Sequence, residues 1–218
     1  MRECRICKME IPDNMAYCNT CLKGNAKPYY KEPEESDARK EMFRRVFPDL
    51  FWEANLSDLS EPLQNVLKSL STRENLYLWG NPGVGKSHTM AVLAKLKISR
   101  GEVVKRLTMK DLKLTIEAAY HSSETIESLL SPYIQCQNLI LEDVGVANNR
   151  ETDATIDNLL YVLDKRIERC LPIFLTSNRS PQSLGDVYDA RIRSRVSGFV
   201  IVEITGPDRR SRLPKKGG

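Results

Sequence analysis

The chain has 218 residues, which is long enough for one substantial core and a small appendage. Hydrophobic residues make up 41% of it and charged residues 28%, as in an ordinary globular protein, and no apolar run is long enough to cross a bilayer. The N-terminus carries Arg2 and Arg5 and no apolar segment, so we expect no secretory signal and a cytoplasmic protein. A net charge of +4 permits a nucleic-acid partner without indicating one.

Four of the six cysteines lie in residues 1–23, as two C-x₂-C pairs separated by ten residues. Each pair can place two thiolates on one turn, and two such turns close a tetrahedral Zn²⁺ site. So short a segment cannot bury a core, so the metal would supply its folding energy. Two disulfides or four free thiols are the alternatives, but in a reducing compartment cysteines more often bind metal than pair. We therefore predict a structural zinc module held by Cys4, Cys7, Cys18 and Cys21.

Residues 24–58 are expected to form a linker and one helix. The stretch 24–36 is rich in glycine, proline and charge, which is typical of a linker, and a helical pattern follows over residues 37–47. A second helix is predicted to start at residues 60–62, because a proline follows a serine and a glutamate there. The apolar side chains on one face of this second helix are Leu63, Val66, Leu67 and Leu70.

Residues 80–87, GNPGVGKS, match the phosphate-binding pattern G-x-x-x-x-G-K-[ST]. The motif lies between an apolar run of strand type at 75–79 and a helical pattern at 88–98, which is the context it requires. Lys86 would place its charge on the β- and γ-phosphates of a triphosphate, and the Ser87 hydroxyl can ligate Mg²⁺. A glycine-rich turn that matches by chance is the alternative. We predict an ATP site formed by Gly80, Asn81, Pro82, Gly83, Val84, Gly85, Lys86, Ser87 and His88.

Strand patterns alternate with helical patterns over the rest of the chain. Strands are predicted at 103–108, 138–144, 172–178 and 199–204, and helices at 109–120, 124–134, 152–170 and 189–197. Together with the strand before the phosphate loop, this order predicts an α/β domain with a parallel five-stranded sheet flanked by helices. The domain is expected to span residues 59–207, and a basic, disordered tail is expected at 208–218.

Apolar side chains are expected to bury one face of the predicted helix 152–170. The stripe consists of Ile156, Leu159, Leu160, Leu163 and Ile167. Cys136 and Cys170 are expected to be buried as small hydrophobic residues.

Polar side chains follow two of the predicted strands, at the edge where parallel sheets bind their ligands. Glu142 and Asp143 end the strand 138–144. We expect one acid to hold the Mg²⁺ shell and its neighbour to orient or deprotonate the attacking water. Asn178 closes the strand 172–178 and can hydrogen-bond both the γ-phosphate and that water. Solvated acids at a strand end and a turn-forming asparagine are the alternatives.

Three arginines, Arg191, Arg193 and Arg195, lie in the predicted helix 189–197. Arg191 and Arg195 are four residues apart and therefore share a face. If subunits pack side by side, one of these arginines could enter the site of its neighbour as an arginine finger. From the residues alone, a solvated basic helix is an equally open interpretation.

Four segments occur in an order and spacing that resemble a known family: GNPGVGKSHTM, LILEDVG, PIFLTSN, and RIRSRV followed by VIVEITGP. Over residues 60–207 they resemble the AAA+ helicase loaders of the DnaC/DnaI type and their transposition relative IstB. The resemblance implies a P-loop NTPase of the AAA+ class. It places Asn178 at the sensor-1 position and Arg195 at the position of the trans-acting arginine. Arg166 matches a recurrent family arginine whose role the residues do not give.

One position departs from the family. Where the family usually has two aspartates, or Asp-Glu, this chain has Glu142 followed by Asp143, and Gly145 fixes Glu142 in the metal position. The extra methylene should shift the geometry of the metal shell, so we expect it to affect hydrolysis more than nucleotide binding. A cysteine-rich module before the ATPase domain is similar to the DnaI arrangement. Because it is unusually short here, the resemblance suits a phage-encoded or otherwise reduced loader.

The resemblance implies an ATP-driven loader that binds single-stranded DNA and a hexameric replicative helicase, assembles as a homo-oligomer in the ATP state and acts without a membrane partner. The implied cofactors are ATP, Mg²⁺ and Zn²⁺. An IstB-like transposition regulator on duplex DNA and a nucleotide-gated adaptor with little hydrolysis are the alternatives. A small-molecule kinase is a further class, but the sequence offers no candidate for its acceptor pocket or lid.

Overall fold

The computed structural model describes residues 2–3, 10–11, 37–145, 152–188 and 190–209. Strand β1 (Arg2–Glu3) pairs antiparallel with β2 (Glu10–Ile11), with Arg2 opposite Ile11. The predicted zinc ligands Cys4, Cys7, Cys18 and Cys21 lie outside the described residues.

From Asp37 onward, helices alternate with the strands of one sheet. The helices are α1 (Asp37–Arg44), α2 (Glu61–Ser69), α3 (Lys86–Ser99), α4 (Met109–Tyr120), α5 (Ile126–Gln135), α6 (Asp153–Glu168), α7 (Pro181–Val187) and α8 (Ala190–Val196). The strands are β3 (Leu76–Trp79), β4 (Val104–Thr108), β5 (Asn138–Val144), β6 (Ile173–Ser177) and β7 (Val200–Glu203). Short 3₁₀ turns at Asp49–Phe51 and Leu56–Asp58 connect α1 to α2. Within the ranges given above, no helix combines the length and apolarity that crossing a bilayer demands.

Three of these helices begin at a threonine that caps the first turn. Thr108, Thr125 and Thr152 each accept a hydrogen bond from the backbone N–H three residues further on. Such caps satisfy N–H groups that have no partner within the helix, so they fix where the helix begins.

The sheet has the strand order β4-β5-β6-β3-β7, and every neighbouring pair is parallel. This confirms the predicted parallel five-stranded sheet flanked by helices. Because the strands are parallel, their carboxyl ends share one edge. At that edge β6 lies between β5 and β3, so the chain segments after these three strands are neighbours.

Apolar layers cover both faces of the sheet, because successive side chains of a strand point to opposite faces. Tyr77 belongs to one layer, which packs against α4, α5, α6 and α8. Leu76 and Leu78 belong to the other layer, which packs against α1, α2 and α3. Phe43, Phe47, Ala54 and Leu56 also belong to the second layer, although they come from the segment expected to be a linker and helix.

Two expectations about burial are wrong. Ile167, expected in the buried stripe of α6, is 37% exposed, while Arg166 beside it is fully buried. Cys170 is exposed, because the chain leaves α6 through it with φ at +53°, whereas Cys136 is buried as expected. The sequence patterns also missed α7, a single short helix between β6 and α8.

Candidate nucleotide site

The phosphate loop connects β3 to α3 at the carboxyl edge of the sheet. Gly83 and Gly85 have φ values of +80° and +109°, which side chains other than glycine rarely adopt. Helix α3 begins directly after Gly85, at Lys86, so its first N–H groups face the loop. The Lys86 side chain is buried, and its Nζ donates to the carbonyl oxygens of Gly80 and Asn81 at 2.8 and 2.9 Å. The loop thus has the backbone and the cation that a triphosphate needs.

The segment after β7 lies directly on this loop. The backbone N–H of Arg209 donates to the Gly83 carbonyl at 2.9 Å. A Cβ atom placed on Gly83 would lie 1.9 Å from Oδ1 of Asp208, and one placed on Gly85 would lie 3.6 Å from Nη1 of Arg209. Glycine at position 83 therefore lets the Asp208 carboxylate approach the loop backbone closely, whereas the Arg209 guanidinium lies at ordinary contact distance from Gly85. The sequence assigned both residues to the basic tail, and the rest of that tail, 210–218, lies outside the described residues.

Glu142 and Asp143 occupy different environments at the end of β5. Glu142 is 1% exposed and forms an ion pair with Arg106 of β4, while its Oε1 is buried without a hydrogen-bond partner among the described residues. By strand alternation it shares a face with Ile140, the face covered by α3. Asp143 is exposed with φ at +65°, and its N–H donates to Oγ1 of Thr176 at 3.1 Å.

These environments bear on where a metal ion could bind. Glu142 offers a buried oxygen with unused acceptor capacity on the phosphate-loop side of the sheet, and a hard oxygen donor of this kind fits Mg²⁺. Asp143 offers a solvent-facing carboxylate instead. The two acids therefore differ in exposure, and the roles predicted for them from the sequence stay predictions.

Asn178 follows β6, between the acidic strand and the phosphate-loop strand, and its side chain is partly buried. Hydrogen bonds from the residues around it tie the two neighbours together. The Ser177 hydroxyl donates to the Val144 carbonyl at 2.6 Å, and the Gly80 N–H donates to the Ser177 carbonyl at 3.3 Å. Arg179 Nε donates to the Gly145 carbonyl at 2.8 Å. Asn178 thus stands on a turn that is anchored on both sides.

The buried side chain of Tyr77 also hydrogen-bonds to this turn. Its hydroxyl donates to the Arg179 carbonyl at 2.8 Å, and burial raises the pKa of Tyr77 to about 12. The phenol therefore stays protonated and able to donate at any physiological pH.

Arg195 on α8 is engaged by the chain's own helix α6. Its Nε and Nη2 donate to the two carboxylate oxygens of Asp164 at 2.8 and 3.0 Å, and Nη1 donates to the Arg191 carbonyl at 3.2 Å. Hydrogen bonding to this guanidinium holds the pKa of Asp164 below its ordinary value. Arg191 makes a second ion pair with α6, at 3.5 Å from Asp157. Two ion pairs therefore fasten α8, with Arg195, to α6 of the same chain.

Arg166 has a structural environment that explains its burial. Its Nη1 donates to the carbonyls of Tyr133, Ile134 and Cys136 at 2.7 to 3.2 Å, and its Nη2 donates to the Pro172 carbonyl at 2.7 Å. These carbonyls belong to the last turn of α5 and to the chain entering β6. Terminal carbonyls of a helix have no partner within it, so one arginine satisfies several of them at once. A sequence signal existed, since Arg166 continues the spacing of Leu159 and Leu163.

Two partners in this site were missed by sequence reasoning, Arg106 and Asp164. Each meets its counterpart across more than 30 residues of chain. Arg106 has only a weak signal, because β4 lies at the edge of the sheet, where charged side chains are common. Asp164 has none, since an acid on the polar side of a helix is common.

The sheet order, the glycine loop before α3, the acids at the end of β5 and the polar residue after β6 together define a P-loop NTPase. The sequence model of the family named IstB-like ATP binding protein matches residues 57–193, which is more than half of the chain. The chain belongs to this family of IstB-like ATP-binding proteins.

Two similar proteins act in DNA replication by their names. The replicative helicase loader DnaC of Escherichia coli is 23% identical over 167 residues, which cover 75% of this chain and 67% of DnaC. The chromosomal replication initiator protein DnaA of Corynebacterium jeikeium is 25% identical over 140 residues, which cover 63% of this chain and 23% of DnaA. The chain therefore spans about two thirds of the one and a quarter of the other.

Solved structures agree on the fold. The crystal structure of DnaI superposes with a TM-score of 0.63 at 24% identity, over 78% of this chain and 100% of DnaI. The crystal structure of the DnaC helicase loader superposes with a TM-score of 0.61 at 18% identity, over 72% of this chain and 99% of that one. At these identities the likeness establishes a common fold.

Proposed function

We propose that this protein is an ATP-dependent loader of a hexameric replicative helicase, which hydrolyses ATP at its subunit interfaces during the initiation of DNA replication. One observation carries the proposal. The phosphate loop, the Glu142–Asp143 pair and Asn178 lie at the carboxyl ends of three adjacent parallel strands, β3, β5 and β6, at one edge of the sheet. The similarity to a protein named as a replicative helicase loader, along 75% of the chain, supports the choice of partner.

The residues at this edge fit ATP with Mg²⁺. Lys86 and the N–H groups at the start of α3 would hold the β- and γ-phosphates. Ser87 and Glu142 would hold the metal, which when bound neutralises phosphate charge. Asp143, facing solvent, would orient or deprotonate the attacking water, and Asn178 would contact that water and the γ-phosphate.

Arg195 would act on the nucleotide of a neighbouring subunit, which makes the ATP state a homo-oligomer. In the single chain its guanidinium is bound to Asp164, so it has to exchange that carboxylate for a phosphate when a neighbour docks. Phosphate offers comparable bidentate geometry and more negative charge, which makes the exchange feasible.

The N-terminal cysteines would form the zinc module that contacts the helicase. Strands β1 and β2 pair antiparallel, and the first C-x₂-C pair lies in the chain between them. Two C-x₂-C pairs at this spacing are typical of a structural Zn²⁺ site. Binding to single-stranded DNA would rest on basic side chains along the phosphates, so it should weaken steeply with salt.

The sharpest experiment for the proposal is a pull-down of purified replicative helicase with the full chain, with and without ATP, compared with a variant lacking residues 1–23. We expect ATP-dependent capture by the full chain and loss of capture in the variant. A variant with Cys18→Ser and Cys21→Ser tests the metal within the full chain. Helicase capture that is the same with and without ATP, and the same in the cysteine variant as in the full chain, would contradict the proposal.

A second candidate, an IstB-like regulator of transposition, is favoured by the family match. The two differ in their DNA partner. Equilibrium binding of the ATP-bound protein to single-stranded and duplex DNA, at matched length and salt, separates them. A clear preference for duplex DNA would count against helicase loading.

A third candidate is an adaptor that binds ATP but barely hydrolyses it, and the Arg106–Glu142 ion pair favours it. A single-turnover measurement of phosphate release decides this point. Release on the timescale of seconds to minutes would exclude the adaptor, whereas its absence with intact ATP binding would support it.

A further inference from the structure

A buried ion pair occupies the position assigned to the metal. The Glu142 side chain is 1% exposed, and its Oε2 accepts a hydrogen bond from Nε of Arg106 on the neighbouring strand. Its other oxygen, Oε1, is buried and has no hydrogen-bond partner among the residues that the structure describes. One carboxylate oxygen is therefore already paired with a cation, while the other can still accept a hydrogen bond or bind a metal ion.

An aromatic ring also contacts Arg106. Its guanidinium carbon lies 5.0 Å from the ring centroid of Phe47, which is buried. Phe47 in turn packs on Phe43 and Phe51, with centroids 5.8 and 5.6 Å away. The Arg106 side chain is 25% exposed, so water screens its charge only in part. The segment between α1 and α2 therefore fixes the guanidinium over the Glu142 carboxylate.

We propose that Arg106 is a positioning residue that sets the Mg²⁺ requirement of the nucleotide site, by competing with the metal for the Glu142 carboxylate. The inference rests on the proposed function at this site. A guanidinium neutralises Glu142 while no metal is bound, and it repels a divalent cation that approaches the same carboxylate. Mg²⁺ then binds only by sharing or displacing the arginine, which raises the metal concentration that nucleotide binding needs.

The extra methylene of glutamate makes this pairing possible. In the sheet register Glu142 lies opposite Thr108, and Arg106 lies two residues earlier on the same face of β4. An aspartate would hold its carboxylate about 1.5 Å closer to the backbone of β5, and so farther from Arg106. Glutamate at this position and arginine at 106 therefore act as a matched pair.

The test is equilibrium binding of a fluorescent, non-hydrolysable ATP analogue to the full chain over a range of Mg²⁺ concentrations. Arg106→Gln removes the charge but keeps a donor, and we expect it to lower the Mg²⁺ midpoint at least about threefold. Arg106→Lys keeps the charge and should stay within about twofold of wild type. Arg73→Gln is the matched control. Arg73 is exposed and precedes β3, at the amino ends of the strands, so its replacement should leave the Mg²⁺ midpoint unchanged.

A double-mutant cycle tests the pairing itself. Glu142→Asp should lower the Mg²⁺ midpoint, and Arg106→Gln should add little in that background. If Arg106→Gln does not fold, as judged by circular dichroism and thermal unfolding, Glu142→Asp alone carries the test.

An unchanged or raised midpoint in folded Arg106→Gln, or in Glu142→Asp, would overturn this inference while leaving the proposed function standing. Nucleotide binding by wild type that never depends on Mg²⁺ would overturn the competition as well. No nucleotide binding by wild type at any Mg²⁺ concentration would overturn the proposed function and this inference with it.

Discussion

At the scale of single residues, Lys86 shows how the phosphate loop is prepared for an anion. Its ammonium group is buried and donates to two carbonyls of its own loop, which is where a triphosphate would need it. We expect Lys86→Ala to weaken ATP binding about 10- to 100-fold, because a charge-assisted contact is worth ~1.5–3 kcal/mol. Equilibrium binding of a fluorescent ATP analogue measures it, with the exposed Lys110→Ala as control. Equal affinities of the two variants would contradict the assignment.

Arg166 should matter for stability and not for the nucleotide. Arg166→Met would leave buried carbonyls at the end of α5 and before β6 without donors, so we expect unfolding free energy to fall by about 3 kcal/mol or more. Arg166→Lys keeps the charge but loses the planar guanidinium, so its unfolding free energy should lie between those of wild type and Arg166→Met. Urea unfolding measures both variants, and ATP affinity at low temperature should stay near wild type. A variant that keeps its unfolding midpoint but loses ATP binding would move Arg166 into the site.

At the scale of elements, the segment after β7 lies directly against the phosphate loop. The Asp208 carboxylate lies against Gly83, so a triphosphate entering the loop meets a like charge. We expect Asp208→Asn to raise ATP affinity about two- to tenfold, with the effect shrinking as salt increases. Nucleotide titrations at low and high salt measure it.

Glu203→Gln is the control for Asp208, because Glu203 is an exposed carboxylate at the end of β7. Its replacement should leave ATP affinity unchanged. Lower ATP affinity in Asp208→Asn would mean that this carboxylate holds the loop open for the nucleotide rather than opposing it.

Local patterns were enough to predict most elements. Strand β5 has the predicted bounds, Asn138–Val144, because an unbroken apolar run between polar ends has few other solutions. The phosphate loop was predictable because its chemistry lies in eight consecutive residues. In α6, periodicity alone predicted that Ile167 is buried. The structure buries Arg166 instead, because its guanidinium donates hydrogen bonds to carbonyls at the end of α5.

The contacts that tune the site could not be predicted in this way. Arg106 meets Glu142 from another strand, and Asp164 meets Arg195 from another helix. Such pairs depend on sheet register and helix packing, which the spacing of residues within one element does not specify. The roles of Glu142 and Arg195 came from resemblance, but the partners that hold them in the single chain came only from the structure.

At the scale of the whole molecule, the proposed role of Arg195 requires a second copy of the chain, because its guanidinium would complete the site of a neighbouring subunit. Helix α8 is fastened to α6 by the Arg195–Asp164 and Arg191–Asp157 pairs, so its arginines follow the body of the subunit. Partly exposed pairs of this kind contribute about 1 kcal/mol or less, so a docking neighbour can open them. ATP turnover per chain should therefore rise with protein concentration.

Mixing two inactive variants tests this directly. Arg195→Ala should bind ATP like wild type but turn it over at least about 100-fold more slowly, since an arginine finger contributes ~10³–10⁵ in rate. Lys86→Ala lacks the loop cation but keeps its arginine. In a mixture, a Lys86→Ala subunit can supply Arg195 to the intact loop of an Arg195→Ala neighbour, so turnover should exceed that of either variant alone. Arg193→Ala, on the same helix, should behave like wild type. Full turnover by Arg195→Ala alone, or a mixture no faster than its parts, would remove Arg195 from the neighbour's site.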